Sequence, residues 1–364
     1  MKLLYAVAAG LIIVGLVVGT PILSSSKEDF STYNSEWNGC SRIKELSHSA
    51  ENRPVRAVFS TNDLVGMDRG VLVMLNPSNS VSTTENDIVN VKTFVQNGGA
   101  LLLSADTSDT SPLLQGLGLS DRVGFDKGLL RDDMMNWVDS ANPQISTFAP
   151  STITTDVHRV YFNYGTVLDI TNTSGTPDIT VLAKSGPSSY LSAVYNGPAA
   201  PSNGSSAPRG EKAVLASVEY GKGTVVLCSD PSVFINGMLD KGDNKRLYEN
   251  IVANLTRDDA TVPIIFDESH RAQQPVGSLI YSQLISSDAA KYAFVLGALG
   301  LFLTGMAGVR LTRRTRLDHV DQVEAPLDEA TIIDDIAERH PRWNRALLKE
   351  LLNNLRLNQK RRHP

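Results

Sequence analysis

Two apolar stretches near opposite ends of the chain, residues 3–23 and 292–309, constrain what the 364 residues can become more than any other feature. The first, LLYAVAAGLIIVGLVVGTPIL, lies in a segment with no charge between Lys2 and Lys27. A bilayer core of ~30 Å asks for roughly 20 such residues as helix. The second, YAFVLGALGLFLTGMAGV, is bracketed by Lys291 and Arg310 and is rich in the small residues that membrane helices tolerate. Both are expected to span. Arg310, Arg313, Arg314 and Arg316 crowd the far end of the second stretch, and positive residues beside a span are retained in the cytoplasm. The expected organisation is a first transmembrane helix over residues 1–23, an extracytoplasmic domain over 24–290, a second transmembrane helix over 291–310 and a cytoplasmic helical tail over 311–364. A cleaved signal peptide starts in the same way. Against it stand the length of the apolar run and Val18-Gly19-Thr20-Pro21, a poor processing site.

The charge balance narrows the partners. The whole chain carries −5, and the tail from Arg310 onward is basic, so the remainder is the more acidic for it. An acidic outer domain argues against nucleic acid or an anionic membrane face as its ligand. The two cysteines, Cys40 and Cys228, both fall in the outer segment. An oxidising compartment permits a disulfide, but Cys228 sits in the run TVVLC and reads more simply as a buried small hydrophobe. No Cys/His spacing suggests zinc. Three glycosylation triplets begin at Asn172, Asn203 and Asn254, all in the segment expected outside.

Between the apolar stretches, hydrophobic periodicity predicts an α/β fold. GVLVML at 70–75 is a continuous apolar run suited to a strand buried on both faces. Ser82-Thr83-Thr84-Glu85 offers a capping box before a helix over 86–96, Asn97-Gly98-Gly99 ends that helix, and ALLLS at 100–104 is a second buried strand. Strand, helix, strand at this spacing is a parallel, right-handed unit. Further on, residues 152–155, 159–164, 167–169 and 179–184 read as short strands. Residues 197–210, rich in Pro, Gly, Ser and Ala, form an outer loop. Glu219-Tyr220-Gly221-Lys222-Gly223 turns a hairpin between strands at 214–218 and 224–228. A helix over 243–255 and a last strand at 262–266 complete the domain. In the tail, residues 328–340 and 343–357 are two amphipathic helices.

The segment GVLVMLNPSNSVSTTENDIVNVKTFVQNGGALLLSAD resembles the strand, Pro-containing turn, helix, Gly-Gly, strand unit of class I glutamine amidotransferase-like domains. Together with Trp37-Asn38-Gly39, EYGKGTVVLCSDPSVFIN and Phe266-Asp267-Glu268-Ser269-His270, it makes the chain similar, over roughly residues 30–310, to the membrane-anchored family known as domain of unknown function 4350. The resemblance implies a flavodoxin-like three-layer domain with added β-hairpins and a prokaryotic setting beside MoxR-type ATPases and partner proteins of cell-surface assembly. It implies no reaction. Amidotransferases carry a cysteine on a strained elbow with a histidine and a glutamate acting on it. This chain has Ala105-Asp106 where that nucleophile would stand, and neither cysteine has a Gly-x-Cys-x-Gly setting.

The candidate site residues are carboxylates and one histidine. Asp267, Glu268 and His270 follow the last strand directly, and ligands of parallel sheets gather at carboxyl ends of strands. Asp106 and Asp230 end two other strands. Brought to one rim, these groups would suit a divalent metal; as isolated residues, each is an ordinary cap or turn former. No phosphate-binding loop is present, since Gly221-Lys222-Gly223 is too short and lacks the Ser/Thr. The expectation is a non-catalytic, membrane-anchored binding protein: lipid bilayer and a cytoplasmic ATPase-linked assembly as partners, no nucleic acid. The alternatives are a metal-dependent hydrolase using the acidic rim with His270, or an accessory subunit of an ABC-type transport system.

Overall fold

The computed structural model describes residues 25–49, 52–171, 173, 178–192, 208–274, 328–340 and 342–362. The α/β domain and the tail belong to separate units and are described separately. In chain order the domain contains α1 (Ser41–Ser49), β1 (Val55–Val58), β2 (Val71–Leu75), α2 (Glu85–Gln96), β3 (Ala100–Ser104) and α3 (Ser111–Gly116). Short strands follow: β4 (Val123–Phe125), β5 (Leu129–Asp132), β6 (Gln144–Ile145), β7 (Thr147–Phe148), β8 (Val160–Tyr161) and β9 (Leu168–Ile170). Then come β10 (Ile179–Lys184), β11 (Ser189–Ser192), β12 (Ala213–Tyr220), β13 (Gly223–Cys228), α4 (Asn244–Thr256) and β14 (Ile264–Asp267).

Eight of these strands form one sheet in the order β1-β14-β2-β3-β13-β12-β10-β7. The first five run parallel, and β12, β10 and β7 each pair antiparallel with the strand before. Every residue of β2, β3 and β14 is buried, which is why they read as apolar runs without alternation. Helices α1 and α4 cover one face, packing Ile43, Leu247 and Ile251 into a core with Val71, Val73 and Leu102. On the other face α2 and α3 bring Val91, Phe94 and Leu113 against Leu72, Leu101 and Leu103.

Numbered in chain order, the five parallel strands stand 1-5-2-3-4, so the expected flavodoxin-like order of 2-1-3-4-5 is not the one adopted. The reason lies in α4. Leaving β13 over the face opposite α2, it returns past β3 and β2 and delivers β14 between β2 and β1. The chain thus departs to one face after β3 and to the other after β13. That divergence opens a crevice at their carboxyl ends, the usual place for a ligand in an open α/β sheet.

Some local expectations shift. The capping box of α2 is formed by Thr84 with Asp87, not by Ser82 with Glu85: the Thr84 hydroxyl accepts from the Asp87 amide (3.2 Å) and the Asp87 carboxylate accepts from the Thr84 amide (2.9 Å). Residues 152–155 are turns rather than a strand, because the Ser151 and Ala149 carbonyls are taken by the nearby Thr154 hydroxyl. The β12–β13 hairpin closes on Gly221 and Lys222 as read, with Gly221 at φ +63°. In the tail, α5 (Glu329–Arg339) and α6 (Arg345–Arg362) form the two expected helices, and Trp343, Leu347 and Leu351 are exposed. Among the described residues no helix is long and apolar enough to cross a membrane; both apolar stretches lie outside those residues.

Candidate functional site

The crevice is built from the loops that continue β3 and β13. The Ser104 hydroxyl donates to the Cys228 carbonyl (2.8 Å), locking the two strand ends together before Asp106 and Asp230 emerge. Asp230 is fully buried and caps the 3-10 turn Pro231–Phe234: one carboxylate oxygen accepts from the Ser232 amide (2.8 Å), the other from the Asn163 amide (2.5 Å). Burial, and next the charge of Asp106, push the Asp230 carboxyl well above the usual carboxylate range. Gly165 passes so close that a Cβ there would stand 2.6 Å from that of Asp230. Asp106 is 7% exposed and accepts from the Thr107 hydroxyl (2.9 Å) and amide.

Around this pair the surface is grooved. One cleft of about 420 Å³ has Phe30, Trp37 and Tyr164 as its aromatic walls, with Asn76, Asp106 and Asn163 among its polar groups. A second, of about 430 Å³, lies over the end of β2 between Lys27 and Arg271, with Ser78 and the exposed Ser80 in its lining. A third, of about 340 Å³, runs from Asp106 toward Asp126 and Lys127. Thr107 lines all three. Three of the lining residues hold left-handed backbone, Phe30 at φ +60°, Asn76 at φ +42° and Tyr164 at φ +61°. Such conformations in residues other than glycine gather where function has shaped a loop. Chemically the arrangement offers amides, hydroxyls and a carboxylate beside aromatic faces, a set suited to binding.

The Asp267–Arg271 segment does something else. His270 Nδ1 lies 2.8 Å from an Asp267 oxygen, and its Nε2 is 3.8 Å from Asp87 at the start of α2. Burial works to lower the His270 pKa, but the Asp267 hydrogen bond and charge, reinforced by Asp87, overcome it and raise it. For Asp267, burial works upward, and the His270 hydrogen bond and charge bring the carboxyl below its usual range. Both directions describe a buried ion pair. Glu268 accepts from the Ser31 hydroxyl (2.9 Å), the Thr32 amide (2.6 Å) and the Thr32 hydroxyl (2.8 Å), and burial raises its pKa against the opposing charge of Arg271. Arg271 donates to the carbonyls of Leu75 (2.6 Å) and Asn76 (3.1 Å).

The expected acidic rim therefore divides. Asp106 and Asp230 do come together at the crevice, whereas Asp267, Glu268 and His270 turn inward and tie β14 to α2 and to residues 31–32. Among the described residues no group of three or more His, Cys, Asp or Glu side chains is placed to hold a metal ion. Cys40 and Cys228 are free and buried, and burial pushes both thiols up, that of Cys228 to about 12. A thiol so held is not a nucleophile at neutral pH. Asn254 lies within α4, donates to the Thr152 hydroxyl (2.7 Å), and has its triplet's Thr256 buried with the hydroxyl bonded to Val252, so this triplet is not presented for glycosylation. Asn172 and Asn203 lie outside the described residues.

Sequence reasoning missed Asp87 as the second carboxylate of His270, and Thr107, Asn163 and Tyr164 as cleft residues. Only Asn76-Pro77, a turn signal directly after a buried strand, pointed to the place.

A family model described as "Domain of unknown function (DUF4350)" matches residues 32–252, more than half of the chain. No curated protein matches. Among solved structures, the mmIFT52 N-terminal domain is similar at 14% identity and a TM-score of 0.45, over 63% of this chain and 94% of that one. A beta-galactosidase from Rahnella sp. R3 is similar at 14% identity and a TM-score of 0.31, over 54% of this chain and 23% of the enzyme. The cytoplasmic protein STM3548 from Salmonella typhimurium is similar at 11% identity and a TM-score of 0.31, over 57% of this chain and 78% of that one.

Proposed function

The chain belongs to the DUF4350 family, and from that premise we propose that it is a membrane-anchored binding protein without catalytic activity. Its amidotransferase-like α/β domain lies outside the cytoplasm and takes a polar ligand or partner segment in the crevice between β3 and β13. The observation that carries this reading is the contrast at the carboxyl ends of the strands. The clefts there are lined by amides, hydroxyls and aromatic faces, while both thiols and the Asp267–His270 pair are buried and engaged elsewhere. Anchoring draws on the two apolar stretches. The tail couples the domain to an ATPase-linked assembly of the MoxR type; in support, α6 leaves Leu347 and Leu351 exposed in register for a helical partner.

A photo-crosslinking residue at Thr107, activated in native membranes, should give a discrete adduct that the same residue at Lys222 does not. Equal adducts at both positions, or a hydrolytic activity of the purified chain that Asp106→Asn abolishes, would overturn the reading.

A further inference from the structure

The domain's two connections to the apolar stretches leave from one end of the sheet, and it is the end that carries the clefts. On the entry side, Ser25 is two residues beyond Leu23, and Lys27, which lines the 430 Å³ cleft, is four beyond. Fully extended, that tether reaches at most ~14 Å. The entry segment is pinned as soon as it arrives. Ser31 and Thr32 donate to Glu268 directly after β14, Asp29 and Phe30 line the clefts, and the Phe30 amide donates to the Asn38 carbonyl (2.9 Å). The exit segment departs from the same place: the Gln273 amide donates to Glu28 (3.2 Å), the Ser78 amide to the His270 carbonyl (2.8 Å), and Arg271 holds the end of β2.

We propose that the carboxyl-end face of the sheet lies against the lipid headgroup layer, so that its clefts take a polar group presented at the membrane surface and not one arriving from bulk solvent. The proposal rests on the membrane anchoring put forward above. The short tether enforces the apposition: a domain turned the other way would have to carry Lys27 the full length of the parallel strands away from the bilayer, and Glu268 holds the entry segment where it is. Charge is not the cause. Lys27, Lys127 and Arg271 on this face are outnumbered by Glu28, Asp29, Asp106, Asp109 and Asp126, so the contact does not depend on anionic lipid.

The test uses the full chain in phosphatidylcholine vesicles containing a lipid spin-labelled at its headgroup. A fluorophore is attached to Ser80→Cys, at the cleft rim, or to Lys222→Cys, in the hairpin at the amino ends of the strands; both positions are exposed, and the native cysteines are buried. Ser80→Cys should be quenched several-fold more than Lys222→Cys. Inserting a long Gly-Ser linker after Leu23 should erase the difference. Equal or reversed quenching in a chain that floats with the vesicles would overturn the orientation alone. A chain that fails to float would overturn the anchoring and the orientation with it.

Discussion

At the scale of single residues, His270 is the side chain on which most depends. It is 2% exposed and placed between Asp267 and Asp87, so deleting it leaves buried negative charge uncompensated. His270→Ala should cost about 3 kcal/mol in urea unfolding, the range for breaking a buried pair from one side. The pH dependence has a definite sign. Because the folded pKa of His270 is raised, its contribution is complete below about pH 6.5 and is lost as pH climbs through the higher folded value. Asp267, held below its usual range, contributes above about pH 3.9 and fails only on further acidification. Stability of the wild-type domain should therefore fall as pH rises above about 6.5, and in His270→Gln that slope should flatten. A slope unchanged by the substitution would remove His270 from the account. The residues of this network were visible as a motif, but their role was not, because Asp87 comes from a helix start 183 positions earlier in the chain.

The elements were legible where one physical signal dominated. Strands β2 and β3 are unbroken apolar runs and α2 has a cap, a stripe and a stop, so composition alone locates them. Residues 152–155 were not, since a Thr-rich stretch suits a strand by propensity until its hydroxyls find carbonyls of their own turn. Close backbone approach between elements is equally hidden. A Cβ on Gly223, at the start of β13, would meet the Gly99 carbonyl oxygen at 1.9 Å and that of Val95 at 2.5 Å. Both obstacles are backbone, which cannot rotate away. Gly223→Ala should destabilise the domain by about 2–3 kcal/mol, as overpacking does, whereas alanine at Gly124, with nothing near its Cβ, should stay within about 0.5 kcal/mol of wild type. Thermal melts of the two variants make the comparison, and similar melts would contradict the packing described.

For the whole molecule, among the described residues both core clusters of the domain are assembled between Cys40 and Phe266, with Phe30 packed against them from earlier in the chain. Removing residues 328–364 should leave the domain's unfolding midpoint within about 1 °C of the full chain while emptying a crosslinking pull-down of the partners proposed for the tail. A shifted midpoint would mean that the tail supports the fold, and an unchanged set of partners would count against coupling through α5 and α6.

What the sequence by itself determined is the α/β class, the positions of the buried strands, the hairpin at Gly221 and the apolar stretches that bracket the domain. For the elements, each follows from an interaction among near neighbours, such as a run that must be buried or a turn that needs left-handed backbone. Tertiary structure alone decided that β14 enters between β1 and β2, that Asp106 meets Asp230, and that Asp267 and His270 face inward. Those outcomes depend on which face each crossover helix covers, a choice settled by packing between residues far apart in the chain. Local pattern carries no record of it. The same choice set the entry and exit segments side by side at the cleft end of the sheet.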